Sequence, residues 1–299
     1  MRDEAGLSEI TDQPNRIVGV ALVLGSALCF SLAGVLIREV ETANEWQVVY
    51  WRSAGFVVAV SIVLALRHRG RFFQAFIDVG WIGFVGSLGL ALGSVCYVWA
   101  LFNTTIANAV FFFGALPFIT GFFAWLLFDE RLRRESWLIM AAAFGGIVFM
   151  VFGGLTGGRW FGNLLAAIGI VGYTTLILVL RAGRKIDMMP LLCIGGIIGG
   201  GVAFAIEGGG AISLHDAVVS LALGVVSVSF GFMLFTLGAR YVRAGELSLL
   251  SNLELILGPL WVWLWITEVP SNETLLGGAV IIGAIALQAI ITIRHPAGA

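Results

Sequence analysis

Residues 249 to 260 read LLSNLELILGPL. Asn252 and Glu254 sit inside a run otherwise made of Leu, Ile, Ser, Gly and Pro. In an apolar medium these two side chains have definite chemistry. A glutamate there can hold and release a proton, or hold a substrate amine. Its plain alternative is a protonated acid bonded to a neighbouring carbonyl or serine. An acid at the middle of a membrane helix costs roughly 3 kcal/mol on insertion scales, which makes it a functional candidate by default. On a helical wheel Ser248, Ser251 and Asn252 share one arc, and Glu254 lies at its edge beside Gly258 and Trp261.

Other candidates follow the same reasoning. Asn108, Phe111, Phe112 and Ala115 share a face of another apolar run. Asn gives and takes hydrogen bonds, and the rings offer apolar walls. Binding pockets are mostly apolar with a few placed polar groups. Phe30, Tyr97 and Tyr173 add rings, and Ser227 adds a hydroxyl on the stripe Ser220, Gly224, Ser227, Gly231. Each ring has the alternative of packing between helices or facing lipid, and such small-residue stripes are by default packing seams. Arg52 stands one turn inside its run. It either snorkels to the outer surface, forms a gating ion pair, or meets a substrate carboxylate. Pro117 and Pro259 cannot donate to Phe113 and Leu255, so each frees a carbonyl and lets its helix bend. The bends serve a gate or only shape the packing.

Nothing here points to catalysis, a metal or a cofactor. His68, His215 and His295 fall in loops or the tail, and no HExxH, GxSxG or P-loop occurs. Cys29, Cys96 and Cys193 lie inside apolar runs without ligand spacing, so they read as small packing residues. No basic tract suggests nucleic acid.

These candidates must be held by elements suited to lipid. The 299 residues are 59% apolar and 12% charged, about half the charge of a soluble domain. A bilayer core about 30 Å thick takes about 20 apolar residues of helix. Ten runs meet that length: 17–37, 47–66, 79–101, 105–128, 137–153, 161–180, 189–206, 217–239, 247–266 and 274–293. They are apolar all round and twice the length of a barrel strand, so the expected class is all-α integral membrane. Residues 1–16 form a polar tail unlike a cleaved signal.

With ten spans both termini share a side. That side carries Arg2, Arg16, Arg67, Arg69, Arg71, Arg131, Arg133, Arg134, Arg181, Arg184, Lys185, Arg240, Arg243 and Arg294. The other carries Arg38 and Arg159. The imbalance places both termini in the cytoplasm.

The chain also repeats. Shifted by 138, Asp78 falls on Asp216, Gly86 on Gly224, Gly93 on Gly231, Trp125 on Trp263, Glu130 on Glu268 and Glu135 on Glu273. An offset of 143 sets Phe30 on Tyr173 and Arg38 on Arg181. Five spans repeat, and five is odd, so the copies insert in opposite senses: residues 17–153 and 161–293 form two inverted five-helix repeats. Such repeats hold substrate near the bilayer midplane.

The segments YWRSAGF (50–56), AWLLFDERL (124–132), LLSNLEL (249–255), WVWLWITEVP (261–270) and LLGGAVIIGAIAL (275–287) resemble the drug/metabolite transporter superfamily, in its ten-helix form with two EamA-like repeats. The likeness runs from about residue 17 to 293 and is closest to YddG-type exporters of aromatic and other neutral amino acids. One departure stands out: the family often has Pro directly after the ninth-helix acid, where this chain has Leu255 and delays proline to 259.

The expectation is a secondary exporter of a small neutral amino acid or related metabolite, aromatic or apolar, in a bacterial inner membrane, with proton coupling as a possibility through Glu254. Substrate and lipid bilayer are the expected partners. The alternative substrate is a lipophilic cation held by Glu254. Phosphorylated cargo would need more buried Lys or Arg than Arg52.

Overall fold

The computed structural model describes residues 13–68, 72–128, 134–156, 159–183, 186–208, 212–239, 241–242, 247 and 250–294. Its helices are α1 (Gln13–Ser31), α2 (Ala33–Arg38), α3 (Glu45–His68), α4 (Phe72–Asp78), α5 (Gly80–Asn103), α6 (Ile106–Gly114), α7 (Leu116–Phe128) and α8 (Arg134–Thr156). There follow α9 (Trp160–Ala182), α10 (Pro190–Glu207), α11 (Leu214–Ala222), a π-helical α12 (Leu223–Phe230), α13 (Gly231–Gly238), α14 (Glu254–Ile266) and α15 (Asn272–Arg294). No strand occurs among the described residues.

Among the described residues, eight helical stretches are long and apolar enough to cross a membrane: 16–38, 45–68, 80–103, 106–127, 160–182, 190–207, 214–238 and 272–291. The expected total was ten. The expected fifth range lies within the 23-residue α8. The ninth holds the 13-residue α14, with residues 248 and 249 outside the described set. Leu66, Trp81 and Trp265 are each 74% exposed on the outer surface. Large apolar side chains left bare over so much of a fold mark a lipid-facing surface rather than a water-facing one.

Local chemistry sets the helix ends. Thr105 caps α6 by accepting from the Asn108 N–H at 3.2 Å. Ser213 caps α11 by accepting from the Asp216 N–H at 3.0 Å. Both satisfy backbone donors that a helix start leaves free. Pro190 opens α10, where its missing N–H costs nothing, and Gly208 ends it at φ 71° in the left-handed region.

The helices pair in a regular way. α5 packs on α9, and α13 packs on α1. α5 also meets α10, as α11 and α12 meet α3. α9 touches α6 and α7, as α14 touches α1 and α2. Under the offsets of 138 and 143, each second pair is the first with the halves exchanged. Of the other large contacts, α3 with α10 and α8 with α15 map onto themselves, while α6 packs on both α14 and α15. The same exchange holds for side chains. A Cβ on Gly93 would meet the Tyr173 ring at 2.7 Å, and one on Gly231 would meet the Phe30 ring at 2.7 Å.

The loops around 39–44, 104–105, 212–213 and 267–271 are drawn together by two carboxylates. Asp216, fully buried, accepts from the N–H groups of Glu41, Thr42 and Ala43 at 2.9–3.0 Å and from the Thr42 hydroxyl at 2.6 Å. Glu268 accepts from Arg38 Nε and from the Ile106 N–H, both at 2.9 Å. Arg38 also donates to the carbonyls of Leu101 and Thr104. Asp216→Asn turns an acceptor oxygen into a donor aimed at other donors. Leaving buried donors unmet costs about 1–3 kcal/mol. The purified variant is therefore expected to melt earlier in detergent; an unchanged melting temperature would show that the cluster contributes nothing.

Candidate functional site

α3 brings Arg52 into the middle of the bundle. Its backbone is pressed against α12, where a Cβ on Gly224 would stand 2.0 Å from the Arg52 carbonyl oxygen. Only a glycine permits that approach. The π turn of α12 widens the helix at this contact, a distortion often found at functional sites. Four residues on from Arg52, Phe56 lies on the same face.

A narrow cleft of about 10 Å³, room for about one water in this state, is lined by Arg52, Ser53, Phe56, Ser94, Tyr173 and Phe232, with Leu90, Val228 and Gly195–Gly196 completing its wall. Arg52 is 5% exposed. Its Nη1 donates to the Ser94 hydroxyl, and its Nε has no partner. The guanidinium therefore belongs to the interior. The outer-surface alternative does not describe it, because a snorkelling arginine leaves its head exposed.

Aromatic rings continue the wall. Tyr97 meets Phe113 edge-on at 4.9 Å, and Phe113 meets Tyr173 at 5.7 Å. Phe30 meets Phe232 at 5.2 Å. These are the favoured edge-to-face arrangements. No ion pair within 4 Å joins Arg52 to Glu254 among the described residues.

Glu254 is the first residue of α14. The helix is interrupted just before it, at Asn252 and Leu253, where the Leu255 N–H turns back to the Asn252 carbonyl at 3.1 Å. The helix of Pro117 is interrupted at Ala115, between α6 and α7. Ala115 shifted by 138 is Leu253, so the two breaks occupy the same register. After Pro117 frees the Phe113 carbonyl, the Ala115 N–H approaches it. α14 runs through Pro259 without a break; the break in this stretch lies at Asn252–Leu253, without a proline, and Glu254 follows it.

The remaining candidates part company. Arg52 and Tyr173 line the cleft; Phe30 packs on Phe232 of its wall, and Tyr97 reaches Tyr173 through Phe113. Ser251 precedes the helix break, Asn252 is part of it and Glu254 follows it, all half-buried. Asn108 is 2% exposed and sits in a separate network with Thr104, Asn163 and Thr274 that joins the starts of α6, α9 and α15. Phe112 is fully buried in the core, and Phe111 packs over Gly278 of α15. Ser227 is buried on α12 and does not line the cleft. The chamber residues missed from sequence are Ser53, Phe56, Leu90, Ser94, Phe113, Val228 and Phe232. Part of the signal was present: Leu90, Ser94 and Tyr97 are four and three residues apart, one face of α5.

The EamA-like transporter family model matches residues 17–152 and again residues 160–290. The chain belongs to the EamA-like transporter family. This EamA-like protein is a multi-pass membrane transporter, not an enzyme. It is 24% identical over 273 residues to the pseudopaline exporter CntI of Pseudomonas aeruginosa, in strain UCBPP-PA14 and in strain PAO1, covering 89% of this chain and 94% of each relative. A solved crystal structure, 19% identical, superposes with a TM-score of 0.64 over 92% of this EamA-like chain and 98% of its own. That likeness speaks for the fold alone.

Proposed function

We propose that this EamA-like transporter exports a small neutral amino acid, aromatic or apolar, or a related metabolite, across a bacterial inner membrane. It does so by alternating access between two inverted five-helix repeats, residues 17–153 and 161–293, with ten crossings and both termini in the cytoplasm. The carrying observation is the cleft around Arg52: one buried cation beside Ser53, Ser94 and Tyr173 in a wall of Phe and Leu. A small polar solute with an apolar side chain complements that lining. The exchange of helix contacts between halves and the matched breaks at 115 and 252–253 support the repeat. Discontinuous helices at a repeat interface suit solute binding in transporters. The exporter relatives support outward movement.

Glu254 is the proposed proton carrier, being the acid at the helix break within an apolar span. A lipophilic cation is the weaker fit, because the charge of Arg52 lines the same cleft and repels it. Purified protein in liposomes loaded with labelled Phe, Leu or Thr, beside a quaternary ammonium dye, separates these. Saturable amino-acid counterflow without dye movement is expected. Dye movement without amino-acid flux would overturn the assignment, and non-saturating flux with single-channel current would make it a channel.

A further inference from the structure

Arg52 poses a problem that its own surroundings leave open. An arginine remains protonated in proteins, and a buried charge needs a partner as well as hydrogen bonds. Among the described residues the guanidinium has one hydrogen-bond partner, the neutral hydroxyl of Ser94, and its Nε has none. Ion pairs are absent around it among the described residues, although Arg38 is paired with Glu268. The side chain is 5% exposed, and what exposure it has is to the cleft it lines. Ser94 holds one edge of the guanidinium, and the Nε is buried without a partner, a cost that a bound anion in an opened cleft would relieve.

That edge has a matching ligand chemistry. A guanidinium fork meets a carboxylate in two parallel hydrogen bonds, a geometry that lysine cannot supply. The rest of the cleft is uncharged: hydroxyls of Ser53, Ser94 and Tyr173, and the apolar surfaces of Phe56, Leu90 and Phe232. Glu254, at the start of α14, forms no ion pair with Arg52 among the described residues.

We propose that Arg52 is the specificity-determining residue of the chamber and binds the carboxylate of the transported solute, with Ser94 positioning the guanidinium. This rests on the transport reading above and narrows it: the solute must carry a carboxylate.

The test uses three probes of one shape in the purified full-length protein: L-phenylalanine, 3-phenylpropionate, which lacks the amine, and phenethylamine, which lacks the carboxylate. Ligand-induced thermal shift in detergent reads binding, and competition against labelled L-phenylalanine counterflow in liposomes reads transport. Wild-type protein is expected to be stabilised by both carboxylates and at least about tenfold more weakly by the amine, as the loss of a charge-assisted contact predicts. Arg52→Gln should raise the KM for L-phenylalanine by about tenfold or more and erase the preference for carboxylates, with Arg52→Lys restoring only part of it. Ser94→Ala should shift KM in the same direction by less. Equal stabilisation of wild-type protein by phenethylamine and 3-phenylpropionate overturns the proposal, as does an Arg52→Gln variant that still prefers carboxylates. No stabilisation by either carboxylate also overturns it. Carboxylate-selective stabilisation without any L-phenylalanine counterflow would instead sink the amino-acid reading and leave the carboxylate site standing. The wild-type panel decides the matter even if the Arg52 variants fail to fold.

Discussion

Glu254→Gln is expected to abolish uptake driven by a pH gradient in liposomes, down to the level of protein-free vesicles. Gln keeps the size and hydrogen-bonding reach of the acid but takes up and releases no proton. The position explains the size of the effect. Glu254 begins α14 directly after the break at Asn252–Leu253, so the carboxyl group sits where the backbone is already interrupted and within an apolar span. Counterflow without a gradient should persist in the variant, since exchange needs no net proton movement. Undiminished gradient dependence in Glu254→Gln would remove the proton role. Loss of counterflow as well would mean that Glu254 binds the solute directly.

The second large effect is structural. Gly224→Ala places a methyl 2.0 Å from the carbonyl oxygen of Arg52, and 3.0 Å from the Phe56 backbone nitrogen. Backbone cannot swing aside as a side-chain tip can, so α3 and α12 must separate. Overpacking costs typically 1–3 kcal/mol, and a clash with main chain belongs at the upper end, about 3 kcal/mol or more. The separation also moves Arg52 away from Ser94. The variant should lose its monodisperse peak in size-exclusion chromatography or melt far below wild type. Gly145→Ala and Gly283→Ala are the controls, because a Cβ at either meets nothing within 4 Å. If Gly224→Ala behaves like the controls, the close approach of α3 and α12 is not what seats the arginine.

How much was legible beforehand depended on the kind of question. Glu254 and Arg52 stood out because a charge in an apolar run is costly wherever it points, so its presence alone carries information. Tyr97, Tyr173 and Phe30 were reached through the repeat and through their ring chemistry. Asn108, Phe111 and Phe112 do not line the Arg52 cleft, and the sequence could not show this for a physical reason. Their helix is apolar on every side, so periodicity shows which residues share a face but not which face meets the chamber. Asn108 could equally serve a solute or a neighbouring helix, and its use by Thr104, Asn163 and Thr274 requires three distant segments to be brought together. The break before Glu254 escaped the reading that looked for a proline, since hydrogen bonding at Asn252 and Leu253 and not a missing N–H ends the helix there.

The order of apolar runs, the charge alternation between loops and the recurrence at offsets of 138 and 143 are one-dimensional properties, and the sequence by itself determined them. Lipid admits few ways to satisfy a backbone, so those patterns were enough for an all-helical membrane protein. The site was decided by the tertiary structure. Arg52 meets Ser94 across 42 residues, and the chamber draws its lining from α3, α5, α9, α10, α12 and α13. Such contacts depend on which glycines let which helices approach, and that is a matter of three-dimensional fit that no single helix encodes.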